Sequence, residues 1–259
     1  ILAGNLMNAG KITDKIFSFA KELVGWIPGG LGHANIVASI IFAGMSGSAA
    51  ADAGGLGTIE MEAMTKNGYD EDFSGAVTAA SSVIGPIFPP SIPLIIYGAT
   101  ASVSVAKLFM GGVLPGLLMG VALMVLVFLF AIKYKFERHP FHVAALIRQF
   151  FGSILSLITP LIILAGFTTG WFTPTEASSI AVAYSLIIAL IVYRTMDWKT
   201  FKHCLLESAI TSANTLFIIG TSTLFTYVLV KEGASAEIAR FILGISQNPA
   251  VILFIINVV

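Results

Sequence analysis

The chain has 259 residues, 56% of them hydrophobic and only 11% charged, with a formal net charge of zero and a mean hydropathy of +0.91. Soluble domains carry about 25% charged residues, so this composition excludes an ordinary soluble domain, and the balanced charge excludes a basic nucleic-acid surface or an acidic tail. The single cysteine, Cys204, excludes an internal disulfide, and no paired metal-ligand spacing accompanies it.

Ile1 to Met7 reads as the tail of a spanning helix, with no initiator Met and no basic leader. Lys11 to Trp26 carries Ile12, Ile16, Phe19, Leu23 and Trp26 at helical spacing among charged residues. That pattern predicts an amphipathic helix, either lying at a membrane interface or serving as a plain surface helix. Ile36 to Met45 is apolar but too short to span, and it runs into the small, polar, Gly-rich stretch Gly44 to Thr58. This suits a re-entrant hairpin with Ser46 and Ser48 at its tip. Asp52 is the one ionisable residue of that stretch. It is either a functional intramembrane carboxylate or a cap or packing hydrogen bond of the hairpin.

Glu60 to Asp72 is acidic, and with Asn67-Gly68 as a turn signal it reads as an extramembrane loop. Phe73 to Ile84 re-enters the apolar region and breaks over Gly85 to Pro93, where Gly85, Pro86, Pro89, Pro90 and Pro93 forbid a continuous helix. The segment resumes to about Thr100. Broken backbone is tolerated in a bilayer only where it is buried in protein or lines a polar cavity, and discontinuous helices mark ion and substrate sites in secondary transporters. A bare structural kink is the alternative.

Leu108 to Ile132 is a long uncharged span. A basic loop follows, with Lys133, Lys135, Arg138 and Arg148 against Glu137. Phe151 to Gly170 spans again, and a helix start follows with Thr173 as cap, Pro174 first and Glu176 in the first turn. Ala177 to Tyr193 spans back to a second basic connection holding Arg194, Lys199 and Lys202 against Asp197. The two basic loops share a side, and the positive-inside bias makes it the cytoplasm, together with the acidic loop at 60–72. Trp26, Trp171 and Trp198 sit near helix ends as interfacial anchors. His139 and His142 invite a metal reading but fit solvated loop residues as well.

Ala209 to Val230 is apolar with many Ser and Thr, Lys231 to Arg240 is polar and helical in pattern, and Phe241 to Val259 is interrupted at Gln247-Asn248-Pro249. An amphipathic helix, a turn and a short apolar run thus occur twice, which hints at an internal repeat cut within its second half. The abrupt apolar ends lead us to expect a fragment of a longer protein. No phosphate-cradling ATP motif is present.

Three stretches, GMSGSAAADAGGLGTIEMEAM, GYDEDFSGAVTAASSVIGPIFPPSIPLIIYG and GWFTPTEASSIAVAYSL, together resemble the large membrane (M) subunit of tripartite ATP-independent periplasmic (TRAP) transporters, the DctM-like family. The resemblance covers essentially the whole chain. It implies an all-α polytopic membrane protein of elevator type, with re-entrant hairpins, broken helices and an inverted repeat. The parts would be 1–28 (end of a spanning helix plus an interfacial arm), 29–104 (hairpin 1 and broken helix), 105–203 (spanning helices with basic cytoplasmic loops) and 204–259 (start of the second repeat, cut within hairpin 2). It also implies sodium-coupled import of an organic acid, of the C4-dicarboxylate or sialic acid type, across a bacterial or archaeal inner membrane. The implied partners are a small Q-type membrane subunit, a P-type periplasmic substrate-binding protein and the lipid bilayer, with no nucleic acid and no organic cofactor.

Carried onto this chain, the resemblance puts a Na+ site on Ser46, Ser48, Gly85, Phe88 and Pro89, with Phe88 acting through its carbonyl. Ser82, Pro90, Ser91 and Asp52 would serve the substrate. Ser91 is also suited to cap the second half-helix, whose dipole favours a carboxylate, while Ser81 and Ser82 fit helix packing equally well. Two rival readings remain: a passive channel, and an intramembrane serine protease built on Gly44-Met45-Ser46-Gly47, which would need a general base near Ser46.

Overall fold

The computed structural model describes residues 1–134, 136, 140–168 and 171–258. The expectations that involve Lys135, Glu137, Arg138, His139 and Gly170, and the chain's last residue, Val259, fall outside the described residues. All regular structure among the described residues is helical, as the composition predicts. The chain divides into two compact units, Ile1–Ser208 and Ala209–Val259.

The first unit is built around α3 (Gly30–Ser46), which follows α1 (Leu2–Ala9) and α2 (Ile12–Val24). All residues of α3 except Val37, Ile40 and Ile41 are buried, so it is enclosed by its neighbours on nearly every side. Seventeen residues are short of the roughly 20 that cross a bilayer. Helix α2 packs on α3 and on α9 (Val143–Thr168). Its buried face is Ile12, Thr13, Ile16, Phe17 and Ala20, which shares Ile12 and Ile16 with the stripe read from the sequence. Phe19 turns to Phe150 of α9 at 5.9 Å, while Leu23 and Trp26 stand 38% and 51% exposed.

After α3 the chain reverses at Gly47 (φ +62) and Ser48. It returns as α4 (Ala49–Ala51), a π-helical segment (Asp52–Leu56) and α5 (Gly57–Lys66). The predicted loop over Glu60 to Asp72 is therefore helical as far as Lys66. Leu56, Glu60 and Met64, four residues apart, form its buried face, and that burial overrides the acidic composition. The open turn is Asn67–Tyr69, with Gly68 at φ +80. Helix α6 (Glu71–Ser82) begins where the Asp70 carboxylate accepts hydrogen bonds from the amides of Asp72 and Phe73 at 3.0 and 3.2 Å. The break occupies 83–91, and α7 (Ile92–Thr100) resumes the segment.

Helix α8 (Val105–Tyr134) packs along α3 and the break. Its C-terminal end carries Phe130, whose ring meets Phe73, and Tyr134, which stacks on Phe136; Phe136 in turn stacks on Tyr69 and meets Phe73. The acidic turn after α5 thus lies at the end of α8 from which the basic connection starts. Helix α9 begins before the predicted span, so Arg148 is helical rather than in a loop. Helix α10 (Pro174–Ile187), extended by a π segment (Ile188–Val192), starts with the capping box read from the sequence. The Thr173 hydroxyl accepts from the Glu176 amide at 3.3 Å and the Glu176 carboxylate accepts from the Thr173 amide at 2.8 Å. Helix α11 (Trp198–Lys231) begins in this unit, so Lys199, Lys202 and His203 are on a helix. Near its start Asn5 Nδ2 donates to Ser208 Oγ at 2.9 Å.

In the second unit α11 continues, followed by α12 (Ala234–Ile245) and α13 (Pro249–Val258). The hydroxyls of Thr215, Thr221, Thr223 and Thr226 donate to carbonyls four residues back, at 2.8 to 3.1 Å. That internal satisfaction lets a hydroxyl-rich stretch remain an apolar helix. Helices α8, α9, α10 with its π extension, and α11 are each long and apolar enough to cross a membrane.

Candidate functional site

The hairpin tip meets the broken helix. Ser46, the last residue of α3, is buried, and its hydroxyl accepts from the Ser48 amide at 3.5 Å. Ser48 caps the returning arm by accepting from the Ala51 amide at 3.3 Å. Gly47 is pressed against the break: a Cβ there would fall 2.3 Å from the Pro90 carbonyl oxygen, and the Ile92 amide donates to the Gly47 carbonyl at 3.4 Å. Gly85 faces Ser48, with its notional Cβ 3.3 Å from the Ser48 carbonyl carbon. Glycine is required at Gly47 for this approach, while a Cβ at Gly85 would make a tight contact. Of the Na+ residues expected from the sequence, Ser48 and Gly85 are therefore neighbours across the tip and the break, with Ser46 adjoining on the tip and Phe88 and Pro89 following on the break.

Within the break the chain turns through 83–91, and the Pro89–Pro90 peptide bond is cis. The amides of Ile87 and Phe88 donate to the Ile84 carbonyl at 3.0 and 2.8 Å. The carbonyls of Gly85, Phe88 and Pro89 accept none of the backbone hydrogen bonds that close the break. The Phe88 side chain packs on α8, where Gly116 would bring a Cβ within 3.0 Å of the ring, so its carbonyl is the group it has to offer a cation. This set of hydroxyl and carbonyl oxygens fits a hard cation such as Na+.

Ser91 caps α7. Its hydroxyl accepts from the Leu94 amide at 3.2 Å and donates to the Pro86 carbonyl, which ties the two ends of the break together. The first amides of α7 are engaged, Ile92 with Gly47 and Ile95 with the Ser91 carbonyl. What that helix end offers a carboxylate is its dipole rather than free N–H groups. Pro90 and Ser46 line a cavity of about 90 Å³ together with Met45, Ile95, Ile163 and Ser178.

One turn deeper lies a polar layer. Ser82 and Asp52, the other two substrate candidates, are there and fully enclosed. Asp52 is not a side-chain cap: Ser48 holds that role, and neither carboxylate oxygen of Asp52 has a hydrogen-bond partner among the described residues. Sequence reasoning missed Asn35, Ser39, Glu60 and Thr78. Asn35 Nδ2 donates to Thr78 Oγ1 at 2.8 Å, Ser81 Oγ donates to Asn35 Oδ1 at 2.7 Å, and Ser39 Oγ donates to Ser81 Oγ at 3.2 Å. Glu60, taken for a loop residue, is fully buried and its carboxylate is likewise unpartnered. The four-residue spacing of Leu56, Glu60 and Met64 was the available signal.

The protease reading finds no support in this geometry. His33 is thirteen residues before Ser46 on the same helix, which is about 20 Å at 1.5 Å per residue, and it bonds the Pro28 carbonyl. His142 bonds the Pro140 carbonyl at 2.9 Å. No group of three potential metal ligands of the His, Cys, Asp and Glu type occurs among the described residues.

A family model described as "Tripartite ATP-independent periplasmic transporter, DctM component" matches residues 1–259. A sialic acid TRAP transporter large permease protein of Vibrio cholerae is 44% identical over 99% of this chain and 60% of its own length. A sialic acid TRAP transporter permease protein of Haemophilus influenzae is 45% identical over 99% of this chain and 42% of its own. A C4-dicarboxylate TRAP transporter large permease protein of Pseudomonas aeruginosa is 35% identical over the whole of this chain and 61% of its own. The chain thus spans 42–61% of the length of these relatives, all of which are named as permeases rather than enzymes.

Proposed function

The chain belongs to the DctM component family of the tripartite ATP-independent periplasmic transporters, and from that premise we propose that it forms part of a sodium-coupled importer of an organic acid. With four helices long and apolar enough to cross a bilayer and permease relatives, it is a multi-pass membrane protein. The inner membrane is the compartment in which such an importer works against a periplasmic binding protein and beside a small membrane subunit. The observation that carries the sodium reading is the meeting of the tip with the break. Ser48 and Gly85 meet there, with Ser46 beside them and the carbonyls of Gly85, Phe88 and Pro89 left out of the backbone hydrogen bonds that close the break, at a discontinuous helix.

In this reading Na+ draws the tip and the break together. The substrate then occupies the adjoining space near Pro90 and Ser91, and the hairpin and broken helix move as one body in an elevator step. Two of the relatives are named for sialic acid, which makes it the first substrate to try. The test is uptake of labelled sialic acid and C4-dicarboxylates into proteoliposomes. These hold the full-length parent protein and its small subunit, with the binding protein added, with and without an inward sodium gradient. Uptake that needs sodium and the binding protein, with a raised sodium requirement in Ser46→Ala and Gly85→Ala, supports the proposal. Solute flux without either favours a passive channel and removes the sodium assignment.

A further inference from the structure

Helices α9 and α10 pack as an antiparallel pair whose contacts form a ladder. A Cβ at Gly166 would stand 3.5 Å from the Ala177 Cβ, and the next rung sets Ile163 with Ala181 in one buried cluster. One turn further along, Thr159 on α9 comes level with Ser185 on α10. Both residues are fully buried, and neither hydroxyl has a hydrogen-bond partner among the described residues.

Other hydroxyls on the same two helices behave differently. Ser153, Ser178 and Ser179 donate to the carbonyl four residues back, at 2.6 to 3.0 Å. Thr159 is denied that acceptor. The Leu155 carbonyl, which in a helix already bonds the Thr159 amide, also accepts from the Tyr184 hydroxyl at 3.0 Å. A carbonyl has two lone pairs, so both are then in use. The next residue is Pro160, inside the helix, and the Ser156 carbonyl therefore loses the amide that would have bonded it. One rung of the ladder thus gathers two free hydroxyls and a carbonyl short of a donor.

Buried polar groups are paired, if not by protein then by ordered water, which makes about three hydrogen bonds in such a site. The set carries no charge to favour an ion, and water both gives the proton that the carbonyl needs and accepts from a hydroxyl. A route for water adjoins it, since the cavity of about 90 Å³ beside Ser46 and Pro90 is lined by Ile163 and Ala181, the rung next to Thr159 and Ser185.

We propose that Thr159, Ser185 and the Ser156 carbonyl bind one internal water, which fastens α9 to α10 at the Pro160 turn. That turn supports the hairpin: a Cβ at Gly44, two residues before Ser46, would fall 2.8 Å from the Pro160 Cβ. The water therefore holds in place the surface against which the first arm of the hairpin leans. The proposal concerns a site apart from the tip and the break, and it does not depend on sodium binding there.

The test is radiolytic hydroxyl labelling in isotopically labelled water, which marks a buried side chain where a bound water lies beside it. The full-length parent protein with its small subunit is used, as wild type and as Ser185→Ala, Thr159→Val and Thr159→Ser, and unfolding in mixed micelles is followed in parallel. Label is expected at Thr159 and Pro160 in the wild type, and its loss in Ser185→Ala, which leaves both residues in place. Thr159→Val and Ser185→Ala should each lower the folding equilibrium constant about tenfold, the order of one hydrogen bond. The double variant should lower it by less than the product, because either loss dislodges the water that the two hydroxyls share. Thr159→Ser keeps a hydroxyl and should keep the stability. The labelling and Ser185→Ala carry the test if Thr159→Val does not fold. Absence of label at Thr159 and Pro160 in the wild type would overturn the proposal. So would hydroxyl-deleting variants as stable as the wild type or more so, the outcome when an unpaired buried hydroxyl is simply removed.

Discussion

Gly47 supplies the sharpest test of the contact on which the site depends. Its φ of +62 lies in the left-handed region, which costs a residue with a Cβ about 1–2 kcal/mol. A Cβ would also stand 2.3 Å from the Pro90 carbonyl oxygen. Restoring ordinary contact needs a retreat of about 1 Å, enough to sever the Ile92–Gly47 hydrogen bond already at 3.4 Å and to lose about 1 kcal/mol more. Gly47→Ala should therefore cost about 2–3 kcal/mol, and if tip and break must close for Na+ to bind, about 30- to 150-fold in sodium affinity. Gly68 is the control. Its φ of +80 carries the same backbone cost, but nothing lies within 4 Å of its notional Cβ, so Gly68→Ala should cost about 1 kcal/mol and leave sodium affinity unchanged. Unfolding in mixed micelles gives the stability terms, and sodium-dependent protection of the full-length protein against heat gives the affinity. Equal effects of the two substitutions in both assays would show that the tip–break contact contributes nothing.

Thr173→Ala should cost about 1 kcal/mol by removing the N-cap of α10, with faster hydrogen exchange at the first amides of that helix, whereas Glu176→Gln should preserve protection because glutamine also completes the capping box. At the start of α11, hydrogen bonds from the side chain and amide of Thr200 hold the fully exposed Asp197 carboxyl below its ordinary 3.8. A depressed folded value means the cap is in place above the unfolded value and is lost as pH falls through the folded one. Exchange at Thr200 and Phe201 should thus accelerate only below about pH 4, and Asp197→Asn should abolish that acid step; a step at higher pH in the native chain would contradict the assignment.

What the sequence revealed and what it hid differ in kind. Local rules were legible: the prolines of the break, the Ser91 and Thr173 caps, and the Asn67-Gly68 turn each follow from backbone chemistry within a few residues. The helix boundaries near charged residues were not. Arg148, Lys199 and Glu60 were read as loop because charge signals solvent on average, yet Arg148 and Lys199 extend helices past the apolar core, and Glu60 is carried inside by Leu56 and Met64. The amphipathic pattern of α2 was legible, and Ile12 and Ile16 of its stripe are buried, but the pattern could not show that its neighbours would cover Thr13, Phe17 and Ala20 as well. Asn35 and Ser39 left no signal, because one polar residue in an apolar helix is meaningless until its partner on α6 is known.

That pairing bears on how the hairpin is held. At the tip, tip and break touch through glycine backbones and a single long hydrogen bond, from the Ile92 amide to the Gly47 carbonyl, a contact that a bound ion can tighten and its loss can loosen. One turn away, Asn35, Ser39, Thr78 and Ser81 clasp α3 to α6 through three side-chain hydrogen bonds in the buried interior, where unmaking them leaves buried polar groups unpaired. The hairpin is thus anchored at its middle and free at its end. The strong polar contacts join the middle of α3 to the helix that leads into the break, while the tip meets the break through backbone alone.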